Sequence, residues 1–304
     1  MSFLTKKKIC VTHNGAFHTD DLFATAALSI LNNGNIKIIR TRDAEIFKKA
    51  DYIYDVGGDY NPDNNIFDHH QKGGAGNRES GIPYSSFGLI WKTYGEKICG
   101  SKEVADMIDK KIVEPIDAID NGMDITVSKF KDVEQYTVNN IFKAFYPTWD
   151  EDVLDVDKIF EGEVKKIIPL LKREIEVAKS NIKGEKIIME DYNNSQDKRI
   201  VILSKPFHRF LVRDVLPRLP EPLYYVCPSG HSSEWKVETV SVTPDTMESR
   251  KLFPESWRGF TNGDPKLREV TGIDDIIFCH KSGYLIHVKS KESAIKLAEK
   301  ALIA

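Results

Sequence analysis

The sequence predicts an α/β fold: a mostly parallel sheet with flanking helices, then a C-terminal α+β domain joined to it by a long helix. Three observations carry this. Short apolar runs alternate with helical stretches up to Asp68, an amphipathic stretch of helical period lies mid-chain, and the last third alternates with period two before a closing helix. With 304 residues, 41% hydrophobic and 29% charged, the chain has material for two cores and is too apolar for disorder.

Ile9-Cys10-Val11 reads as the first strand. From Asp21 to Asn32, residues Leu22, Phe23, Ala26, Ala27, Ile30 and Leu31 share one broad face, and Asn33-Gly34 ends that helix. Ile36–Ile39, Tyr52–Asp55 and Ile66-Phe67 read as further strands, with a short helix over Asp43–Ala50. This βαβα punctuation puts helices on both faces of a parallel sheet. A glycine-rich and mobile loop is expected over residues 71–83, followed by helices over Tyr84–Ile98 and Ser101–Ile116. A long amphipathic helix from Asp155 to Asn181, interrupted or bent at Pro169, is the natural connector. Beyond it Lys186–Met189, Arg199–Leu203, Leu223–Val226, Trp235–Val240, Ile276–His280 and Tyr284–Val288 read as strands, and Lys291–Leu302 as a helix. The expected division is therefore 1–150, a connector over 151–182, and 183–304.

Charge excludes one class of function. With 43 Lys+Arg against 46 Asp+Glu, a formal net of −3, bulk attraction to nucleic acid is absent. A polyanionic ligand must be held by a local patch or by metal ions. Cys10, Cys99, Cys227 and Cys279 include no C-x-x-C pair, and read as reduced, buried thiols. No apolar run reaches the roughly 18 residues of a membrane span. A cytoplasmic protein is expected.

The histidines and aspartates fall at the polar ends of strands. His13, His18 and Asp20 follow the first strand, Asp55 ends the third, and Asp68-His69-His70 end the fourth; Asp117 and Asp120 close the helix before Asn121-Gly122. In an open parallel sheet the carboxyl ends of the strands share one crevice, so groups distant in sequence meet there. Imidazole and carboxylate without thiolate suit Mn²⁺, Fe²⁺ or Zn²⁺ better than a structural zinc. There are too many ligands for one ion. Two ions about 3.5 to 4 Å apart sharing a carboxylate would use them, the arrangement common in phosphate-ester hydrolysis. Three carboxylates, two divalent ions and one hydroxide leave such a centre without net charge, able to accept an anion.

These segments resemble the DHH phosphoesterase superfamily and, within it, the MYG1 (UPF0160) family. The motifs are Thr12-His13-Asn14-Gly15-Ala16-Phe17-His18-Thr19-Asp20-Asp21, Tyr54-Asp55-Val56-Gly57-Gly58, Phe67-Asp68-His69-His70-Gln71 and Ile116-Asp117-Ala118-Ile119-Asp120-Asn121-Gly122. The likeness continues through Pro83–Trp91 and Phe253–Gly259, covering nearly the whole chain. It implies a DHH-type catalytic domain over 1–150 with two divalent ions, usually manganese, and a substrate-binding domain over 183–304. On this resemblance His13 and His18 ligate one ion, Asp20, His69 and Asp120 the other, and Asp55 bridges both; Asp117 is the alternative to Asp120. In many relatives outside the MYG1 family an aspartate stands where His18 is, so this centre is less negative. His70 would contact the scissile phosphate, with Asp68 orienting His70 or His69.

One departure concerns the C-terminal domain. Related enzymes often grip phosphate there with a glycine-rich turn. The comparable segment is His280-Lys281-Ser282-Gly283-Tyr284-Leu285-Ile286-His287, with Ile286 and His287 where glycines are common. His280, Lys281, Ser282 and His287 beside Gly283 are then the candidate donors, with an ordinary hairpin as the alternative. Arg209, Arg213 and Trp235 read first as solvated face and core, with phosphate contact or stacking as the alternative.

The function expected is a Mn²⁺-dependent 3′-5′ exonuclease on RNA or short oligonucleotides, with a homodimer as the default assembly. Alternatives are a small-nucleotide phosphatase or pyrophosphatase, and a scaffold or regulatory protein with a vestigial site.

Overall fold

The first apolar run forms β1 (Lys8–Thr12), inside a five-stranded sheet, in a computed structural model that describes residues 6–152, 155–230, 232–261 and 264–304. After it come α1 (Thr19–Leu31), β2 (Ile36–Arg40), α2 (Ala44–Phe47), β3 (Tyr52–Tyr54), β4 (Tyr60–Asn61) and β5 (Ile66–Phe67). The sheet order is β2-β1-β3-β5-β4, with every pair parallel except β4 with β5. The sequence pattern missed β4, because two residues are too few to show alternation. Since β1, β3 and β5 are parallel neighbours, their carboxyl ends deliver His13, Asp55 and Asp68-His69-His70 to one edge.

Helix α1 is buried from Thr19 to Ser29, wider than a single apolar stripe. It packs against α3 (Ser86–Cys99), where the Phe23 and Phe87 rings lie 5.5 Å apart. The helix expected over Ser101–Ile116 is divided. α4 (Lys102–Ile108) passes through a π-helical turn (Asp109–Val113) into α5 (Glu114–Asp120). Pro115 has no N–H for the Lys111 carbonyl and its ring would meet that oxygen, so a widened turn precedes it. The loop over 71–83 is pinned by Arg78, whose guanidinium is paired with Asp109 and Asp117. A short α6 (Val138–Lys143), capped by Thr137, follows.

Helix α7 (Val156–Asn194) corrects two expectations. It continues through Pro169 and extends past Asn181, so the strand expected at Lys186–Met189 is helix. A four-residue apolar run cannot by itself be told from a buried helical turn. Here Ile188, Met189 and Tyr192 meet Val201 and Leu203 on one helical face. The chain divides into two compact units, Met1–Lys179 and Ser180–Ala304, at a point inside α7.

The second unit contains β6 (Ile200–Ile202), α8 (Arg209–Val215), β7 (Tyr224–Pro228), β8 (Trp235–Thr239), α9 (Pro265–Thr271), β9 (Ile276–Cys279), β10 (Leu285–Val288) and α10 (Lys291–Ile303). Its sheet runs β6-β7-β8-β10-β9, antiparallel except for β6 with β7. Period two sorts the core into layers. Tyr224, Val226, Val237 and Ile286 cluster with Leu297 and Ala298 of α10, whereas Tyr225 and Cys227 cluster with Val212 and Val215 of α8. Among the described residues no helix is long and apolar enough to cross a membrane.

Candidate metal centre

Three strand ends and two helices build the centre. His13 follows β1 directly; its Nδ1 faces the Asn14 carbonyl at 3.1 Å, while Nε2 points at Asp55 Oδ2 (3.1 Å) and Asp21 Oδ2 (3.3 Å). Asp55, just after β3, has φ +57, a left-handed backbone that a residue with a Cβ adopts only where its surroundings fix it. That twist aims its carboxylate at the neighbouring strands. Its other oxygen lies 3.3 Å from His69 Nε2, and His69 Nε2 is also 3.4 Å from Asp120 Oδ2.

On the helical side, His18 caps α1 and its Nδ1 is 4.0 Å from Asp120 Oδ1. Asp20, in the first turn, is fully buried, and Ser86 Oγ at the start of α3 donates to its Oδ2 at 2.7 Å. Three overlapping groups of ligand atoms, each within 4.8 Å, result: His13, His18 and Asp55; Asp55, His69 and His70; His18, Asp20 and Asp120. Asp55 links the first two and His18 the first and third.

The acceptors in this cluster are unsatisfied. Asp20 Oδ1, Asp21 Oδ2 and both oxygens of Asp55 are buried without a hydrogen-bond donor. Leaving buried carboxylates so is costly unless cations complete them. Imidazole and carboxylate donors gathered in these overlapping groups fit divalent ions.

Proton affinities reflect the crowding. Burial, then the Asp20 and Asp55 charges, push Asp120 up to about 10. Burial and neighbouring carboxylates likewise raise Asp20 and Asp21. Asp55 goes the other way: burial opposes its charge, but the His13 and His69 imidazoles facing it prevail and hold it below the usual carboxylate range. Burial lowers His13 and His69, yet Asp55 overcomes it and both are raised. Protons stand where cations would bind.

His70 differs from His69. Its Nδ1 is 2.7 Å from Asp68 Oδ1, which also accepts the backbone N–H of His69 and His70, while Asp68 Oδ2 accepts from Gly58 N at 2.6 Å. With Nδ1 engaged, the Nε2 side of an imidazole more than half exposed remains for a ligand. Asp117 is not brought to the centre. Its oxygens accept from Ser85 Oγ, Gly88 N and Arg78, and it belongs to none of the three groups. One helical turn separates it from Asp120, enough to aim it at α3.

The family model MYG1_exonuc, described as an uncharacterised protein family (UPF0160), matches residues 8–302. The chain belongs to the MYG1 family. It is 29% identical over 325 residues to the human MYG1 exonuclease, covering 96% of this chain and 85% of that one. The mouse MYG1 exonuclease is 28% identical over 326 residues, covering 96% and 84%. A Dictyostelium discoideum MYG1 protein is 28% identical over 329 residues, covering 99% and 97%.

In this MYG1-family chain the residues expected to touch substrate, apart from His70, lie in the second unit. His280 Nδ1 accepts from Ser282 N at 3.1 Å, and its ring is 4.5 Å from Tyr284. The Phe278 ring lies 6.0 Å from that of His280 and 6.3 Å from that of His287, centroid to centroid. Lys281 and Ser282 are exposed at the turn, whereas Gly283 is buried with φ +68. A Cβ on Gly283 would meet Arg258 Nε at 2.5 Å, so glycine here closes a turn against an arginine. Arg209 lies 4.2 Å above the Tyr284 ring and 3.1 Å from Glu238; Arg213 points at Met247 Sδ, and Trp235 packs beside the core under Lys291.

Sequence reasoning missed Asp21, Arg78 and Ser86 as parts of the centre or its frame. Asp21 carried a signal: it stands three residues after His18, and its Oδ1 accepts the His18 backbone N–H at 3.1 Å, the spacing of a helix-start box. Nothing local marks Arg78, whose partners are 31 and 39 residues away.

Proposed function

We propose that this chain is a Mn²⁺-dependent phosphodiesterase, built on a DHH-type domain, that trims RNA or short oligonucleotides from the 3′ end. The observation that supports it most is Asp55: a buried carboxylate with both oxygens lacking a donor, reached by imidazole nitrogens from two other strand ends. In this reading His13, His18 and Asp55 hold one ion, and Asp20, His69 and Asp120 with Asp55 hold the second. Bound there, two divalent ions would supply a nucleophilic hydroxide near neutral pH and neutralise the attacking and leaving oxygens.

The chain's own groups do the rest. Asp68 fixes the Nδ1–H tautomer of His70, so Nε2 can take a proton and donate it to a phosphoryl oxygen. Ser86 orients Asp20, and Asp21 ties the His18 backbone while facing His13, so the segment between β1 and α1 keeps its ligands aimed. In the second unit Phe278, Tyr284, His280 and His287 form an aromatic patch beside Arg209, a surface suited to bases and phosphates. That the human and mouse relatives carry the name exonuclease favours the same reading.

The test is an incubation of the full chain and Mn²⁺ with end-labelled RNA, DNA, dinucleotides and pyrophosphate. A ladder shortening from the 3′ end is expected. Hydrolysis of pyrophosphate alone would replace the exonuclease reading with a small-molecule phosphatase, and inertness toward every phosphate ester would overturn both.

A further inference from the structure

Beside the metal ligands lies a cavity of about 200 Å³ whose walls are His18, Thr19, Ile116, Ile119, Asp120, Asn139 and Lys143. Two walls belong to α6, an element the centre itself does not use. Asn139 spends its Oδ1 on Thr19 Oγ1 at 3.0 Å, which leaves the Nδ2 hydrogens to the cavity. The Lys143 ammonium makes no hydrogen bond or ion pair among the described residues, although Asp120 shares the same cavity. Ile116 and Ile119 supply an apolar side. An unpaired cation, a free amide donor and an apolar wall adjoining a phosphoryl-transfer centre suit a phosphorylated nucleoside.

We infer that this cavity receives the nucleotide next to the scissile phosphate, with Lys143 holding a phosphate oxygen and Asn139 donating to the sugar or base. The inference rests on the phosphodiesterase reading of the centre. The cavity is smaller than the roughly 300 to 1,000 Å³ that drug-sized ligands fill, a size that suits one nucleoside. Lys143 is a surface position on a short helix, so its replacement leaves the buried carboxylates and their imidazole partners in place.

The test compares wild type, Lys143→Met, Lys143→Arg and Asn139→Ala, all full-length with Mn²⁺, on a single-stranded oligonucleotide and on bis(4-nitrophenyl) phosphate, a diester without nucleoside. For Lys143→Met, kcat/KM on the oligonucleotide should fall about tenfold relative to the small diester, the loss of one charge-assisted hydrogen bond, mostly through KM. The slope of log KM against log salt should become shallower by about 0.7, the share of one phosphate contact on a single strand. Lys143→Arg should restore both, and Asn139→Ala should raise KM with the salt slope unchanged. Equal effects on the two substrates, or an unaltered salt slope in Lys143→Met, would overturn the inference while leaving the metal centre standing. A wild type inert on both diesters would defeat the reading of the centre, and the inference with it.

Discussion

Asp68 Oδ1 and His70 Nδ1 lie 2.7 Å apart, and the same carboxylate oxygen accepts the backbone N–H groups of His69 and His70. One buried acid thus sets the geometry of two adjacent imidazoles and the tautomer of one. For Asp68→Asn, metal content should stay near the wild-type value while turnover falls about 10- to 100-fold, the usual cost of losing such an outer partner. Metal analysis and single-turnover rates on the same samples check this together.

His70→Ala and Asp55→Ala should separate chemistry from metal binding. The first keeps its metal and loses most turnover. The second loses metal occupancy, because both oxygens of Asp55 lie among the ligand nitrogens of His13 and His69. Equilibrium dialysis with Mn²⁺ reads the difference. Normal metal content and near-normal turnover in Asp55→Ala would contradict the assignment.

Stability should fall with rising pH in the metal-free protein and be restored by metal. Folded-state pKa values above the ordinary 3.8 mean that the folded chain keeps protons the unfolded chain releases. That contribution is complete below about 3.8 and is lost as pH rises through about 6 at Asp117, where burial outweighs Ser85 and Arg78, toward about 10 at Asp120. His13 and His69, also raised, add in the same direction above their ordinary 6.5. Asp55, held down, stabilises above 3.8 and loses that as acid is added. Melting temperatures of the chelated protein should therefore decline from about pH 5 to about pH 9, and less steeply with Mn²⁺, which displaces the protons. Calorimetry should show proton release on metal binding.

The Arg78–Asp117 pair should prove structural. Arg78→Met leaves the fully buried Asp117 without its cation, at a cost of about 3 kcal/mol. Gly88→Ala attacks the same contact from the other side, since a Cβ there would lie 2.0 Å from Asp117 Oδ2. Urea unfolding measures both. Wild-type stability in Arg78→Met would show that the pair does not hold α5 in place.

By itself the sequence determined which segments become strands in the first unit and what stands at their ends, because side-chain period and glycine punctuation are local properties. His13, Asp55 and His69 were legible as candidates for that reason. Their convergence depends on β1, β3 and β5 being parallel neighbours, which hydrogen bonding between distant strands decides. Tertiary packing also separated Asp117 from Asp120: both are acids on one helix, and only the direction of Arg78, Ser85 and Gly88 shows which is already occupied. The same holds for Lys186–Met189, whose β-branched pair is compatible with a strand until burial along α7 draws it into a helix. Asn139 and Lys143 carried no local mark at all, since a polar residue on a six-residue helix acquires meaning only from the cavity beside it.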